Sequence, residues 1–346
     1  MGGKRGFWPA GLFLSVVWVG LGFGSVSGAE KVKIRFAESW VLSAENIGEF
    51  VALDKGWYAE EGIDITIRRG HGAADTFKRV AAGELDIGRS VLVSVALGRG
   101  TGAKVRIVQV IMHTSPYGLA YLEGIGVSRP KDLEGRKVGI PAGSSVLQFW
   151  PAFAKVNAID PGKVTILNIE AAALPPSLAA HSVDAVDSWL VNLPAFEDAA
   201  AQTGRKVGYF LWSDYGLKDM YGAAFVASEE TIEKRAAMVE KFVRATIRGQ
   251  AYALAHPKEA VEIFVKHNPG RSEPMTGRQW KTMERLSRDE QFAREGLGFA
   301  NPEKMEKALD LIRTYVGLKA PVDAKDLYTN AFVERAPREW RFPKLP

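Results

Sequence analysis

Aromatic rings and hydroxyls that follow strand-like runs are the residues of this chain best suited to chemistry, and what they offer is stacking and hydrogen bonding to a small ligand. Trp40 comes just after the apolar run Val32–Phe36, where the cleft of an open α/β sheet lies, outside the carboxyl end of a strand. Its ring can stack on a planar group, and Ser43 lies in the same loop. The segment Gly70-His71-Gly72-Ala73 turns tightly and opens a helix whose free N–H groups attract anions; a plain turn is the alternative. His71 is either a donor to an anion or an exposed loop residue. Ser90 holds the post-strand place after Ile87-Gly88, and Ser144 and Ser145 hold it after Gly143. There one serine can cap a helix while the other meets an oxyanion. Asp187, Ser188, Trp189 and Asn192 form a third such loop. Asp187 either accepts from a ligand amine or caps the helix that reaches Ala199. Tyr117 and Tyr221 either close over a solute or pack a hinge.

Reaction chemistry is harder to build from these residues. There is no cysteine, no Gly-x-Ser-x-Gly, no His-Glu-x-x-His and only five histidines, so no nucleophile–base pair or transition-metal ligand set is recognisable. Gly98, Gly100, Gly102 and Lys104 miss the spacing of a phosphate loop. The expectation is a protein with no catalytic residues, no metal and no cofactor.

The elements that must position these loops alternate. Ile47, Phe50 and Val51 fall at helical spacing and Gly56 stops that helix. Ile63, Ile65 and Ile67 alternate with polar residues as a strand does, and Ala73 to Ala82 makes the next helix. Strands near Leu85 and over Val105 to Val110 complete a parallel α/β lobe. The pattern then restarts: strand Arg136–Ile140, helix Ser145–Lys155, strand Val164–Ile169, helix Leu174–Ala180, strand Val183–Val186. Leu178 to Ala185 echoes Val80 to Ile87, with His181 in place of Gly83. Beyond about Gly222 the residues Met238, Val239, Phe242, Val243 and Thr246 mark an amphipathic helix ending at His256-Pro257. Such helices pack back onto the first lobe.

Phe50, Val51, Ala52, Asp54, Lys55, Gly56, Trp57, Glu60, Glu61 and Gly62, followed by Ala82-Gly83-Glu84-Leu85-Asp86-Ile87-Gly88, resemble a run carried by the periplasmic solute-binding proteins of ABC importers for sulfonates, nitrate, taurine and the thiamine pyrimidine precursor. The resemblance continues to about Ala260. It implies the two-lobed periplasmic binding protein type II fold with two hinge crossings, at His113–Gly118 and Asp214–Gly222. It also implies a signal peptide over 1–29, lobe I from 30–115 plus 217–346, and lobe II from 116–216. The implied ligand-binding residues are Trp40, Ser43, His71, Ala73, Ser90, Tyr117, Ser144, Ser145, Asp187, Trp189 and Tyr221. The pyrimidine-precursor branch carries Asp-Trp where this chain has Ser39-Trp40, which removes one acceptor. The implied cargo is an alkanesulfonate- or taurine-like anion or a pyrimidine-like heteroaromatic. The implied partners are that small molecule and an ABC permease with its ATPase. A pyrimidine-precursor synthase of the same fold is the enzymatic alternative, but it depends on a cysteine-rich motif; a ligand-binding partner of a membrane sensor is a third.

The ends and totals agree. Lys4 and Arg5, an apolar run to Leu21 and Ser27-Gly28-Ala29 read as a cleaved signal peptide, and without cysteine the product is no lipoprotein. Loss of two basic residues takes the net charge from +5 to +3, with acids and bases interspersed, so no nucleic-acid stripe forms. The tail residues Arg335, Arg338, Trp340, Arg341 and Lys344 suit a solvated extension. A monomeric periplasmic protein of two lobes is expected.

Overall fold

Arg35 divides the first apolar run. In the computed structural model, which describes residues 31–345 together with 1–4 and 6, the run is two strands in two different sheets, Val32–Ile34 (β1) and Phe36–Ala37 (β2). The break is made by Arg35, whose backbone N–H and guanidinium both donate to Asp86 (2.9 and 2.6 Å). The expected signal peptide lies, apart from five residues, outside the described chain.

Strand β1 pairs in parallel with Ile63–Ile65 (β3), and β2 pairs in parallel with Ile87–Val91 (β4). Val105–Val110 (β5) follows, and the chain then leaves this sheet. Gly118–Leu122 (β6), Lys137–Gly139 (β7), Thr165–Leu167 (β8), Ala185–Asp187 (β9) and Val207–Leu211 (β10) build a second sheet in the order β10-β6-β9-β7-β8. The chain then returns, and Ala223–Ser228 (β11) inserts between β4 and β5, giving the order β2-β4-β11-β5. The chain thus crosses between the sheets twice, over 111–117 and 212–222.

Neither larger sheet is purely parallel, which corrects the expected parallel lobes. Strands β6, β10 and β11 run antiparallel to their neighbours. All three adjoin a crossing; β6 and β11 run against the direction of the βα repeats, whereas β10, antiparallel to β6, runs with them.

Most expected helices form where the apolar spacing puts them: Ile47–Asp54, Ala73–Ala81, Ser145–Val156, Leu174–Ala179 and Ala236–Ala255. Gly56 is left-handed at φ 75°, a conformation that costs glycine little. The helix Ala236–Ala255 lays Val239, Phe242 and Val243 against Phe36, Ile47 and Phe225, so the C-terminal helices cover the first sheet as expected. Phe225 and Phe242 meet edge to face at 5.1 Å, a geometry favourable beyond area burial.

Under that helix layer lies a buried ionic cluster. Arg89, on β4, places Nε 2.6 Å from Glu38, Nη2 2.5 Å from Glu49 and Nη1 3.7 Å from Glu45. All four residues are buried. Burial among like charges raises the Glu38 carboxyl to about 8 and raises Glu45 as well.

Candidate functional site

Strand ends supply the walls of one cavity of about 330 Å³. From the first sheet come Ser39–Ser43, Glu45 and Ala73; from the second come Ser144, Ser145, Asp187, Ser188, Trp189 and Asn192. Arg271 and Gln279 reach in from the C-terminal helical region, and Leu174, Pro175 and Phe196 make an apolar wall. A cavity that is mostly apolar with a few convergent polar groups is the usual form of a small-molecule site.

Each wall has a local cause. The Gly72 N–H donates to Ser39 O at 2.7 Å and the Gly70 N–H to Trp40 O at 3.1 Å, so the glycine loop pins the Trp40 loop. A side chain at Gly70 would collide with Glu38 O. Across the cavity Ser144 caps Ser145–Val156 by accepting from the Val146 N–H at 3.0 Å, while its hydroxyl donates to Asp187 Oδ2. Gly143 meets the His71-Gly72 backbone: a Cβ added there would stand 2.5 Å from His71 O. The two sheets' loops therefore touch backbone to backbone beside the cavity.

Asp187 and Glu45 are the two carboxyls of the lining. Asp187 stands on the second sheet's side. It is buried, and Ser144 is its one side-chain hydrogen-bond partner among the described residues. Burial pushes its carboxyl up to about 7, against the Ser144 hydrogen bond, which lowers it. It does not cap a helix, one of its two expected roles: the next helical turn starts from Trp189, and Leu193–Ala201 follows. Above an ordinary carboxyl value the folded chain holds a proton that the unfolded chain releases, so stability falls as pH rises from about 4 to about 7. Asp187→Asn is expected to remove that slope, gaining on the order of 3 kcal/mol over wild type between pH 4 and 8. Urea midpoints of both proteins across that range measure it, and parallel curves would place the titration elsewhere.

Of the expected ligand-binding residues, Trp40, Ser43, Ala73, Ser144, Ser145, Asp187 and Trp189 line the cavity. Four stand off the lining. The Ser90 hydroxyl is turned to Ala73 O at 2.9 Å, behind the wall. Tyr117 is buried with its ring 5.7 Å from Trp189, in the layer beneath. The Tyr221 hydroxyl accepts from the Asn301 N–H at 2.8 Å and bonds Gln291, so this tyrosine anchors a crossing. His71 is exposed, and only its carbonyl faces Gly143. The sequence reading missed Glu45, Arg271 and Gln279. Glu45 was hidden in a helix start, and the other two lie in a region that reads only as generically helical. No group of three or more His, Cys, Asp or Glu side chains among the described residues could hold a metal ion.

Comparison with known proteins adds relatives to this geometry. The family model described as NMT1/THI5 like matches residues 43–260. A riboflavin-binding protein of Chloroflexus aurantiacus is 25% identical over 87% of this chain and 86% of its own length. A formylaminopyrimidine-binding protein of Halalkalibacterium halodurans is 22% identical over 84% and 88%. Among solved structures, the periplasmic aliphatic sulphonate-binding protein of Escherichia coli superposes with a TM-score of 0.64 at 15% identity, covering 85% of this chain and 91% of that one. The fold is accordingly the two-lobed periplasmic binding protein fold, its lobes joined by the two crossings.

Proposed function

Since this chain belongs to the NMT1/THI5-like family, we propose that it is the solute-binding component of an ABC importer and that its cargo is a planar heteroaromatic bearing hydrogen-bond donors. The observation that carries this reading is the cavity floor: two half-buried tryptophans, Trp40 and Trp189, stand beside the carboxyls of Asp187 and Glu45. Rings supply faces for stacking, and a carboxylate there accepts from an N–H or O–H opposite it. A bare sulfonate offers acceptors alone and would meet acids at depth, so the heteroaromatic half of the expected cargo range is preferred. Relatives that bind riboflavin and formylaminopyrimidine support the same choice.

Lobe I would run over 30–115 plus 217–346 and lobe II over 116–216, closing around the cargo as a hinge does. The protein would act in the periplasm after loss of residues 1–29, as a monomer that presents its cargo to a permease. The family also holds 4-amino-5-hydroxymethyl-2-methylpyrimidine phosphate synthases. Absence of cysteine from this chain favours binding over that synthesis.

The test is a melting-temperature screen of the purified chain against riboflavin, formylaminopyrimidine, other aminopyrimidines, taurine and alkanesulfonates. A cargo at 100 times its dissociation constant adds about 2.7 kcal/mol of stability. Shifts with sulfonates and none with heteroaromatics would overturn the cargo assignment, and chemical change in the recovered ligand would overturn the transport role. For the heteroaromatic that gives the largest shift, Trp40→Ala is expected to weaken binding about 10- to 100-fold, through lost stacking and buried area. Titration calorimetry reads that loss.

A further inference from the structure

The charges around the cavity are divided by depth. Glu45 and Asp187 are buried at its floor, whereas Arg271, exposed on the segment that precedes the helix Glu273–Ser287, lines it from the mouth. Arg69, also exposed, lies outside the residues that line the cavity. It directly precedes Gly70, whose N–H is bonded to Trp40 O, and its own Nε donates to Gly70 O at 3.4 Å. Partial burial, and after it the charge of Arg69, lower the pKa of Arg271. No ion pair among the described residues includes either of them, while Arg278, on the adjacent helix, is held by both Glu197 and Asp198 at 2.8 and 2.6 Å. Arg271 thus lines the cavity without a carboxylate partner, and the planar fork of arginine suits an oxyanion with two oxygens to share.

We infer that the cargo carries an oxyanion tail, a phosphate or carboxylate, which projects from the heteroaromatic ring to the cavity mouth and is held there by Arg271 and Arg69. This rests on the proposed reading of the cavity as the cargo site. The ring with its donors occupies the acidic, aromatic floor, and the tail occupies the basic rim; an anion bound the other way round would lie against Asp187 and Glu45. The cargo is thus bifunctional, and the protein distinguishes a tailed ring from its neutral parent.

Matched pairs test this: riboflavin against riboflavin 5′-phosphate, and 4-amino-5-hydroxymethyl-2-methylpyrimidine against its phosphate, with inorganic phosphate as the ringless arm. Calorimetry on the wild-type protein is expected to show the phosphorylated member of the bound pair at least about 10-fold tighter, a preference of about 1.4 kcal/mol. That preference shrinks as ionic strength rises. In Arg271→Gln the ratio between the two members falls towards one, with Arg69→Gln intermediate, while Arg278→Gln retains the wild-type ratio. A neutral parent bound as tightly as its phosphate overturns the tail and leaves the ring assignment standing. Stabilisation by inorganic phosphate that vanishes in Arg271→Gln, without binding of either ring, keeps the anion site and overturns the ring assignment. Phosphate preference that survives in Arg271→Gln overturns the assignment of these arginines.

Discussion

Arg89→Met is expected to cost about 3–5 kcal/mol, the penalty for leaving buried charge unpaired. That is a large share of the roughly 5–15 kcal/mol by which domains are stable. Three buried carboxyls, Glu38, Glu45 and Glu49, surround this one buried guanidinium, and Glu45 also borders the cavity. Without it they must take up protons or carry unopposed charge. The sign with pH follows from Glu38, already raised to about 8: the folded chain holds protons that the unfolded chain has lost, so stability falls as pH rises from the ordinary carboxylate range through about 8. The variant should therefore be least stable at alkaline pH and recover part of its loss on mild acidification. Adding Glu38→Gln and Glu49→Gln should restore more than half of it, because amides remove the charge and keep the shape. Urea unfolding of the single and triple variants at two pH values decides the matter. A single variant as stable as wild type at pH 8 would mean that the carboxyls are neutral without their arginine.

The second large effect belongs to binding. Gly143→Ala places a methyl 2.5 Å from His71 O and 3.3 Å from Gly72 Cα, so the loops of the two sheets cannot approach as they do here. Overpacking of this kind costs about 1–3 kcal/mol. If the lobes close around the cargo as proposed, the clash arises only when the loops are together, and the loss falls on the cargo-holding form. Affinity for the heteroaromatic selected by the melting screen should drop about 10- to 100-fold, while the cargo-free protein stays within about 0.5 kcal/mol of wild type. Gly270→Ala, where nothing lies within 4 Å of the new Cβ, is the matched control. Equal affinity in both variants would show that the contact is not needed for capture.

Much of this architecture is legible in the sequence, for reasons that also mark where legibility ends. The helices Ile47–Asp54 and Ala73–Ala81 and the strand β5 lie where apolar spacing and glycine put them, because those signals act between residues only a few positions apart. Strands β6, β10 and β11 were not anticipated. Strands β6 and β11 run against the direction of the βα repeats, β10 joins its sheet only through β6, and pairing partners far along the chain leave no periodic mark. At the site, Trp40, Ser144, Ser145, Asp187 and Trp189 could be singled out because each follows a strand. Arg271 could not, since only tertiary folding brings residue 271 to a cavity built from residues 39–196. The Arg89 cluster is the extreme case. Glutamates at 38, 45 and 49 lie in three different segments and carry no local sign of burial, and Arg89 on β4 brings them together.

The place of β11 has a consequence for how this chain acquires its shape. Strands β4 and β5 are neighbours in sequence but are never paired with each other; β11 lies between them and contributes both ladders. A nascent chain that has reached only residue 222 therefore holds two strands with open edges and no means of joining them. Contacts that span so much sequence form slowly, and unpaired edges invite association with other chains. Completion of the first sheet must then wait for the second to be synthesised, and a ribosome stalled before residue 228 would hold β4 and β5 with edges that β11 has yet to cover.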